Sequence, residues 1–375
     1  MRIGRRQAMI GASVAALWGG RALAAPDAAS IPITLTDNRI VVGGSIGGSA
    51  MMPFVLDTGG EIGLIDLAAA EKLKLRQVGT RRLRLSFGDK NYPIFQASEV
   101  LLGGRFLMPV LALGGIERKL GNGAVGALPA RVLTVTDGEL DLDAGAWRIH
   151  PEGLSELSGW TRFEKAIVQR GKNDDTRFLF ADATINGKSL RFGLDTGMPS
   201  MMRIYRKTAE AAGLWNAPRW SPGAPGGKTR LVRPDSFEIA GATIPRPLIQ
   251  IREEVDWKEF DTGLIGLPIL RLFNLATSNR DGALLLKRNR QAPQGESYNR
   301  GGMWVDRAGT ASVVAVVGPG SPAAAAGIKP GDRITAPAFE VLIERTYGAP
   351  GTVIPLTVES GGSARSVDLT LADFL

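Results

Sequence analysis

Hydrophobic and polar positions alternate over short distances along much of this chain. In Arg82-Leu83-Arg84-Leu85-Ser86-Phe87 every second side chain is apolar, which puts Leu83, Leu85 and Phe87 on one face of a strand and charge on the other. The arginines read as a solvated strand face, and Gly88-Asp89-Lys90-Asn91 reads as the turn that follows. Other segments carry short apolar runs, as in Phe54-Val55-Leu56 and Phe192-Gly193-Leu194, and read as apolar strands. Helical patterning is confined to short stretches, of which Asp66 to Leu75 and Tyr205 to Leu214 are the clearest. Between these elements stand many glycines, 48 among 375 residues, nearly twice the average usage of about 7%. They punctuate the apolar runs and do not cluster, which predicts a mainly β protein with many turns.

The leading segment is different. Arg5-Arg6 precedes a weakly apolar run from Ala8 to Trp18, and Ala22-Leu23-Ala24 stands before Ala25-Pro26. That run is short of the roughly 18 residues of a spanning helix, and its small-x-small end fits signal cleavage near Ala24. Residues 1–25 therefore read as an export signal, and the paired arginines favour a twin-arginine route. The mature chain is expected to be periplasmic or secreted, with no membrane span. The formal charge of +8 looks basic, but Arg2, Arg5, Arg6 and Arg21 all lie in this acid-free segment. The remainder is too mildly basic to suggest a nucleic-acid partner. With no Cys and one His, the chain has no disulfide, thiolate nucleophile or paired imidazoles for zinc, and no metal or other cofactor is expected.

The chain also repeats itself. Phe54-Val55-Leu56-Asp57-Thr58-Gly59 recurs 138 residues later as Phe192-Gly193-Leu194-Asp195-Thr196-Gly197. A strand-like segment with a turn precedes each copy and a helical stretch follows it. Each copy then returns to an apolar pair closed by Gly, in Ala124-Val125-Gly126-Ala127-Leu128-Pro129 and in Leu264-Ile265-Gly266-Leu267-Pro268. Gly126 follows Asp57 by almost the same distance as Gly266 follows Asp195, so the two features repeat in register. Two homologous lobes are expected, residues 31–150 and 175–290, joined by a linker over 151–174.

On these motifs the chain resembles the pepsin-like and retropepsin-like aspartic proteases, specifically bacterial periplasmic proteins with two such lobes in one chain. The resemblance implies a bilobal β fold in which Asp57 and Asp195 are catalytic and Thr58, Gly59, Thr196 and Gly197 support them. Peptide hydrolysis without metal, His or Cys needs two carboxylates close enough to share one proton, and two related loops meeting about an axis can supply them. Each Thr hydroxyl could bond across the join, and each Gly could open space for a carboxylate. The substrate would be an extended peptide or unfolded protein, covered by a hairpin for which Leu83 to Ser98, with Tyr92 near its tip, is the candidate.

Departures from the family pattern leave a second function open, a periplasmic scaffold that holds peptides with weak or no cleavage. After the two glycines stand Gly60 and Met198, where the family has Ala, Ser or Thr, so a hydroxyl that can bond the carboxylate is absent from both copies. A third Asp-Thr-Gly, Asp261-Thr262-Gly263, follows no apolar strand and reads as a polar turn into Leu264-Ile265-Gly266. Met51, Met52, Met201 and Met202 flank the catalytic loops and read as core. His150 ends Ala146-Trp147-Arg148-Ile149, which matches Ala283-Leu284-Leu285-Leu286 with no His, and reads as a packing or surface residue.

After a polar stretch near 289–296, Ser321-Pro322-Ala323-Ala324-Ala325-Ala326-Gly327 and Gly331-Asp332 resemble the core motif of bacterial PDZ domains. Ser321 can cap a short helix that begins at Pro322, Gly327 can end it, and Pro330-Gly331-Asp332 can turn the chain into a strand. The resemblance implies a small β-barrel with short helices over 298–375, with Gly301, Gly302, Met303 and Trp304 as the peptide-carboxylate loop. Its ligand would be a peptide C-terminus, and the chain's own Asp373-Phe374-Leu375 has the apolar end that such a groove accepts.

Overall fold

In the computed structural model the described residues are 29–375, apart from 86–87, 118–119, 122, 170–176, 216–228, 256 and 297. The expected export signal, 1–25, lies outside the described residues, as does Phe87. The fold is mainly β. None of the described helices is long and apolar enough to cross a membrane.

The first lobe opens with β1 (Ala29–Thr36) and β2 (Arg39–Ile46), a hairpin turned by Asp37 and Asn38 at positive φ. β2 pairs with β3 (Met52–Asp57), whose Phe54, Val55 and Leu56 are all buried. A strand covered on both faces needs an unbroken apolar run, which is why this segment does not alternate. β4 (Gly63–Asp66) leads into α1 (Leu67–Lys72), where the Asp66 carboxylate accepts the Ala69 N–H at 3.2 Å and caps the helix. A meander of β5 (Arg76–Leu85), β6 (Gly88–Leu102) and β7 (Phe106–Ile116) follows. β8 (Gly126–Pro129) then inserts between β3, to which it is parallel, and β4, to which it is antiparallel. Only Gly fits that crossing, because a Cβ on Gly126 would lie 2.3 Å from the Leu64 carbonyl oxygen. α2 (Arg131–Thr134), β9 (Asp137–Asp141) and β10 (Ala146–His150) complete the lobe.

The β5–β6 hairpin corrects one expectation. Leu85 pairs with Gly88, so Gly88 to Asn91 belongs to the ladder and is not the turn. The turn composition misleads because Asp89 works across the strands, with its carboxylate 2.8 Å from Arg82 and 3.7 Å from Arg84. Tyr92 points into the lobe and is buried with Val55 and Leu83.

The span 151–174, expected as linker, carries β11 (Thr161–Phe163) and β12 (Ile167–Gln169). The second lobe repeats the plan with the hairpin of β13 (Arg177–Ile185) and β14 (Lys188–Asp195), then β15 (Met202–Tyr205) and α3 (Arg206–Ala211). β16 (Thr229–Val232), β17 (Phe237–Ile239), β18 (Ala242–Thr243) and β19 (Ile249–Arg252) flank this core, and a short 3-10 turn covers Lys258–Phe260. β20 (Gly263–Gly266) inserts between β14 and β15 as β8 does in the first lobe, with a Gly266 Cβ placed 2.0 Å from the Ser200 carbonyl oxygen. α4 (Leu267–Leu270), β21 (Phe273–Ser278) and β22 (Ala283–Arg288) close the lobe.

The lobes join through one sheet in the order β11-β22-β21-β9-β10-β1. At its centre β9 and β21 run antiparallel with Leu140 opposite Leu275, and the strands on either side match pairwise. β11 holds on β22 the place that β1 holds on β10, so the segment read as linker is the counterpart of the first strand. His150 stands in this sheet opposite Asp137, its Nε2 4.0 Å from Glu139. Met202 is fully buried and Met52 and Met201 pack on the same core, whereas Met51 is 53% exposed.

The C-terminal module has its own core around Val314, Ile334, Leu342 and Ile354. β23 (Met303–Ala308), β24 (Ala311–Val317), β25 (Arg333–Ala336), β26 (Val353–Ser360) and β27 (Ser363–Thr370) pair in sequence order. The sheet is open: β23 and β27 do not pair, and the fully buried Leu342 of α6 (Phe339–Thr346) covers the core that a closed barrel would seal with strands. α5 (Pro322–Ala325) starts at Ser321, whose hydroxyl accepts the Ala324 N–H at 3.3 Å, and ends before Gly327 at φ +67°. Arg233 of the second lobe ties the module down. Its guanidinium pairs with Glu296 at 2.5 Å, lies over the Tyr298 ring and donates to the main-chain oxygen of Leu375 at 3.2 Å. Phe374 is buried beside Tyr298 with its ring against Gly302, and Asp373 pairs with Arg300, so Asp373 and Phe374 pack on the module itself and are not among the residues lining the groove beside β23.

Candidate active site

β3 and β14 end at the two repeated motifs, and the shared sheet brings those ends together. Each loop turns in the same way: Gly60 N–H donates to the Asp57 carbonyl and Met198 N–H to the Asp195 carbonyl, both at 3.2 Å. The loops are then locked by reciprocal bonds. Thr58 N–H donates to Thr196 Oγ1 at 3.1 Å and Thr196 N–H to Thr58 Oγ1 at 2.9 Å. Thr58 Oγ1 in turn donates to the Leu194 carbonyl at 2.6 Å, and Thr196 Oγ1 to the Leu56 carbonyl at 2.8 Å. Both threonines are buried, so each bond removed would leave an unsatisfied polar group.

The lock sets the carboxylates face to face. Gly59 N–H donates to Asp57 Oδ1 at 3.1 Å and Gly197 N–H to Asp195 Oδ1 at 2.8 Å. A Cβ on Gly59 would sit 2.5 Å from the Asp195 carboxyl carbon, and one on Gly197 would sit 2.5 Å from that of Asp57. Each glycine therefore makes room for the opposite lobe's carboxylate. Burial raises both acids above the ordinary aspartate value of 3.8, and Asp195, which also feels the charge of Asp57, is pushed up to about 8. Arg39 beside Asp57 and Arg203 beside Asp195 pull the other way and moderate the rise. The arrangement can hold one proton shared between the two acids, which is what general acid and general base work by a carboxylate pair requires.

The residues after the motifs differ between the lobes. Space around Gly60 is nearly sufficient for a side chain, with a Cβ 3.6 Å from the Asp57 carboxyl carbon and 3.3 Å from the Ile62 carbonyl oxygen. Met198 instead fills an apolar floor with Ala130, Phe178, Phe180, Phe260 and Leu264. Asp261 ends the 3-10 turn and Gly263 opens β20, so the third Asp-Thr-Gly is a turn into the strand beneath the second loop.

A cleft of about 410 Å³ opens beside Asp57. Ile62, Leu64, Leu83, Leu85, Phe178 and Phe260 give it apolar walls, and Arg82, Arg84, Asp89, Lys258 and Glu259 line it with charge. Trp257 also lines it and is a residue that sequence reasoning missed. The one sequence signal for it is its place just before the third Asp-Thr-Gly, a motif that reads as a turn.

The C-terminal loop is less open than its sequence suggests. Gly302, at φ +71°, donates its N–H to Asn299 Oδ1 at 3.0 Å, and its carbonyl accepts the Gly318 N–H at 2.8 Å. The Gly301 carbonyl accepts the Ala323 N–H at 2.9 Å. Met303 is buried in the module's core, and Trp304 lines a cavity of about 540 Å³ shared with Met201, Leu231 and Leu248 of the second lobe.

No family model matches this chain, and no curated protein matches it. Among solved structures it is similar to an aspartic proteinase from Irpex lacteus at 14% identity and a TM-score of 0.44. The match spans 70% of this chain and 98% of that one.

Proposed function

We propose that this chain is an exported endopeptidase of the aspartic type, acting outside the cytoplasm on peptides or unfolded proteins. The observation that carries this reading is the reciprocal threonine lock that faces Asp57 toward Asp195 from two equivalent loops. A substrate lies extended in the cleft, with apolar side chains against Leu83, Leu85 and Phe260. The ionised carboxylate takes a proton from a water held between the two acids. That water attacks the scissile carbonyl carbon while the protonated partner donates to the carbonyl oxygen, giving a gem-diol. Collapse of the diol breaks the C–N bond as the departing nitrogen is protonated, and no covalent intermediate forms. The C-terminal module, read as a PDZ domain, takes a peptide end beside Gly301, Gly302, Met303 and Trp304, where β23 offers an edge strand.

One observation favours the scaffold reading: neither Gly60 nor Met198 offers a hydroxyl to the dyad. A mixed peptide library, incubated with the mature protein from about pH 3 to about pH 9, separates the two. The peptidase reading expects cleavage that Asp57→Asn and Asp195→Asn each reduce by about 10³-fold. Cleavage absent, or indifferent to both changes, leaves the scaffold.

A further inference from the structure

Trp257 opens the 3-10 turn ahead of β20, and its ring packs against the apolar floor that holds Met198, Phe178 and Phe260. Its Nε1–H crosses to the first lobe and donates to the Arg84 carbonyl oxygen at 3.2 Å, 173 residues away in sequence. The Arg203 guanidinium lies over the indole, 5.1 Å from the ring centroid, and holds the ring by a cation–π contact. Arg84 stands next to the pair Leu85 and Gly88, the last described rung of the β5–β6 hairpin. The Arg82–Asp89 ion pair, at 2.8 Å, runs diagonally between the neighbouring Arg82–Asn91 and Arg84–Asp89 rungs. A tether near the described end of the hairpin is placed to set the hairpin's height over the cleft.

We propose that Trp257 is a positioning residue that latches the β5–β6 hairpin of the first lobe to the second lobe, over the cleft beside Asp57. The ring is the cleft's side wall, and the N–H is the catch. An extended chain enters when this bond opens and the hairpin lifts, and the bond re-forms above it. The inference rests on reading this cleft as the substrate site, but its test does not depend on catalysis.

Trp257→Phe keeps a ring over the floor and removes the donor. Amide exchange followed by mass spectrometry is expected to run about 3- to 10-fold faster in Thr80 to Leu85 and Gly88 to Asn91 of the ligand-free variant, with β9 and β21 unchanged. Hairpin exchange equal to that of the parent protein overturns the latch. If the variant loosens throughout, the parent protein decides the matter by NMR. The Trp257 indole proton should exchange about 10-fold more slowly than that of an exposed tryptophan, and an equal rate overturns the latch. Dissociation of a statine-containing peptide mimic should be about 3- to 10-fold faster from Trp257→Phe, with kcat changed less than KM. Failure of the parent protein to cleave any peptide removes the proposed activity and leaves the hairpin result standing.

Discussion

The two lobes present the same backbone to the dyad and different surroundings. β3 and β14 end in identical turns, and the threonines bond each other symmetrically. Beyond the motif the likeness stops. The first lobe keeps Gly60 after its motif, where a side chain would fit with a slight shift, and sends the long β5–β6 hairpin over the cleft. The second fills the matching position with Met198 and supplies the apolar floor and Trp257. The geometry that brings two acids together tolerates little variation because both lobes must meet it. The residues that set polarity and access are free to diverge, since only one lobe need supply each.

The crossing strands give the sharpest test of the shared part. Gly126→Ala and Gly266→Ala each drive a Cβ into a backbone carbonyl that has no rotamer to escape to, at 2.3 and 2.0 Å. Each should cost on the order of 3 kcal/mol or more in urea unfolding, with Gly266→Ala the worse because Met198 also crowds the site. A loss below about 1 kcal/mol at either site would mean that its lobe adjusts at the crossing, and the common backbone would then not constrain both lobes alike.

The dyad offers the next test, in stability and not in activity. Asp195 is raised from 3.8 to about 8, so between these values the folded protein keeps a proton that the unfolded chain releases. Its contribution is therefore fully present below pH 3.8 and is lost as pH rises toward 8. Asp195→Asn removes that loss. The variant's advantage over the parent should be small at about pH 4 and reach about 2 to 3 kcal/mol at about pH 8, a figure reduced for the partial solvent access of the cleft. Asp57→Asn should show the same sign, because burial raises that acid too. An advantage that does not grow with pH at either site would mean that burial does not hold the proton on the dyad.

What was legible in the sequence follows the same division. The repeated motifs, the paired insertions closed by Gly126 and Gly266 and the Ser321 cap were readable because each depends on local residue type. β11 was read as linker because three residues, Thr161-Arg162-Phe163, carry too little pattern to announce a strand that long-range symmetry requires. The hairpin turn was misplaced because Gly88-Asp89 has turn composition, yet Asp89 is held in the ladder by Arg82 from the facing strand. Trp257 was missed because its meaning lies in a bond to the other lobe.

The smallest effect concerns the missing hydroxyl. A Cβ at Gly60 would meet the Asp57 and Ile62 carbonyl oxygens at 3.4 and 3.3 Å, contacts that a slight shift relieves, and it would lie 3.6 Å from the Asp57 carboxyl carbon. Gly60→Ser therefore places an O–H where it can donate to the ionised acid, and a donor to the charged form lowers a carboxyl's pKa. The carboxyl carbon shift of Asp57, followed by NMR, should titrate lower by less than about one pH unit, and the alkaline limit of any cleavage should move the same way. Met198→Ser does not mirror this, because Met198 is buried among Phe178, Phe180 and Phe260. Its loss leaves a cavity costing about 1 to 3 kcal/mol in place of a cleanly placed hydroxyl. If Met198→Ser lowered the titration as Gly60→Ser does, with stability kept, the floor of the second lobe would be as open as the loop of the first.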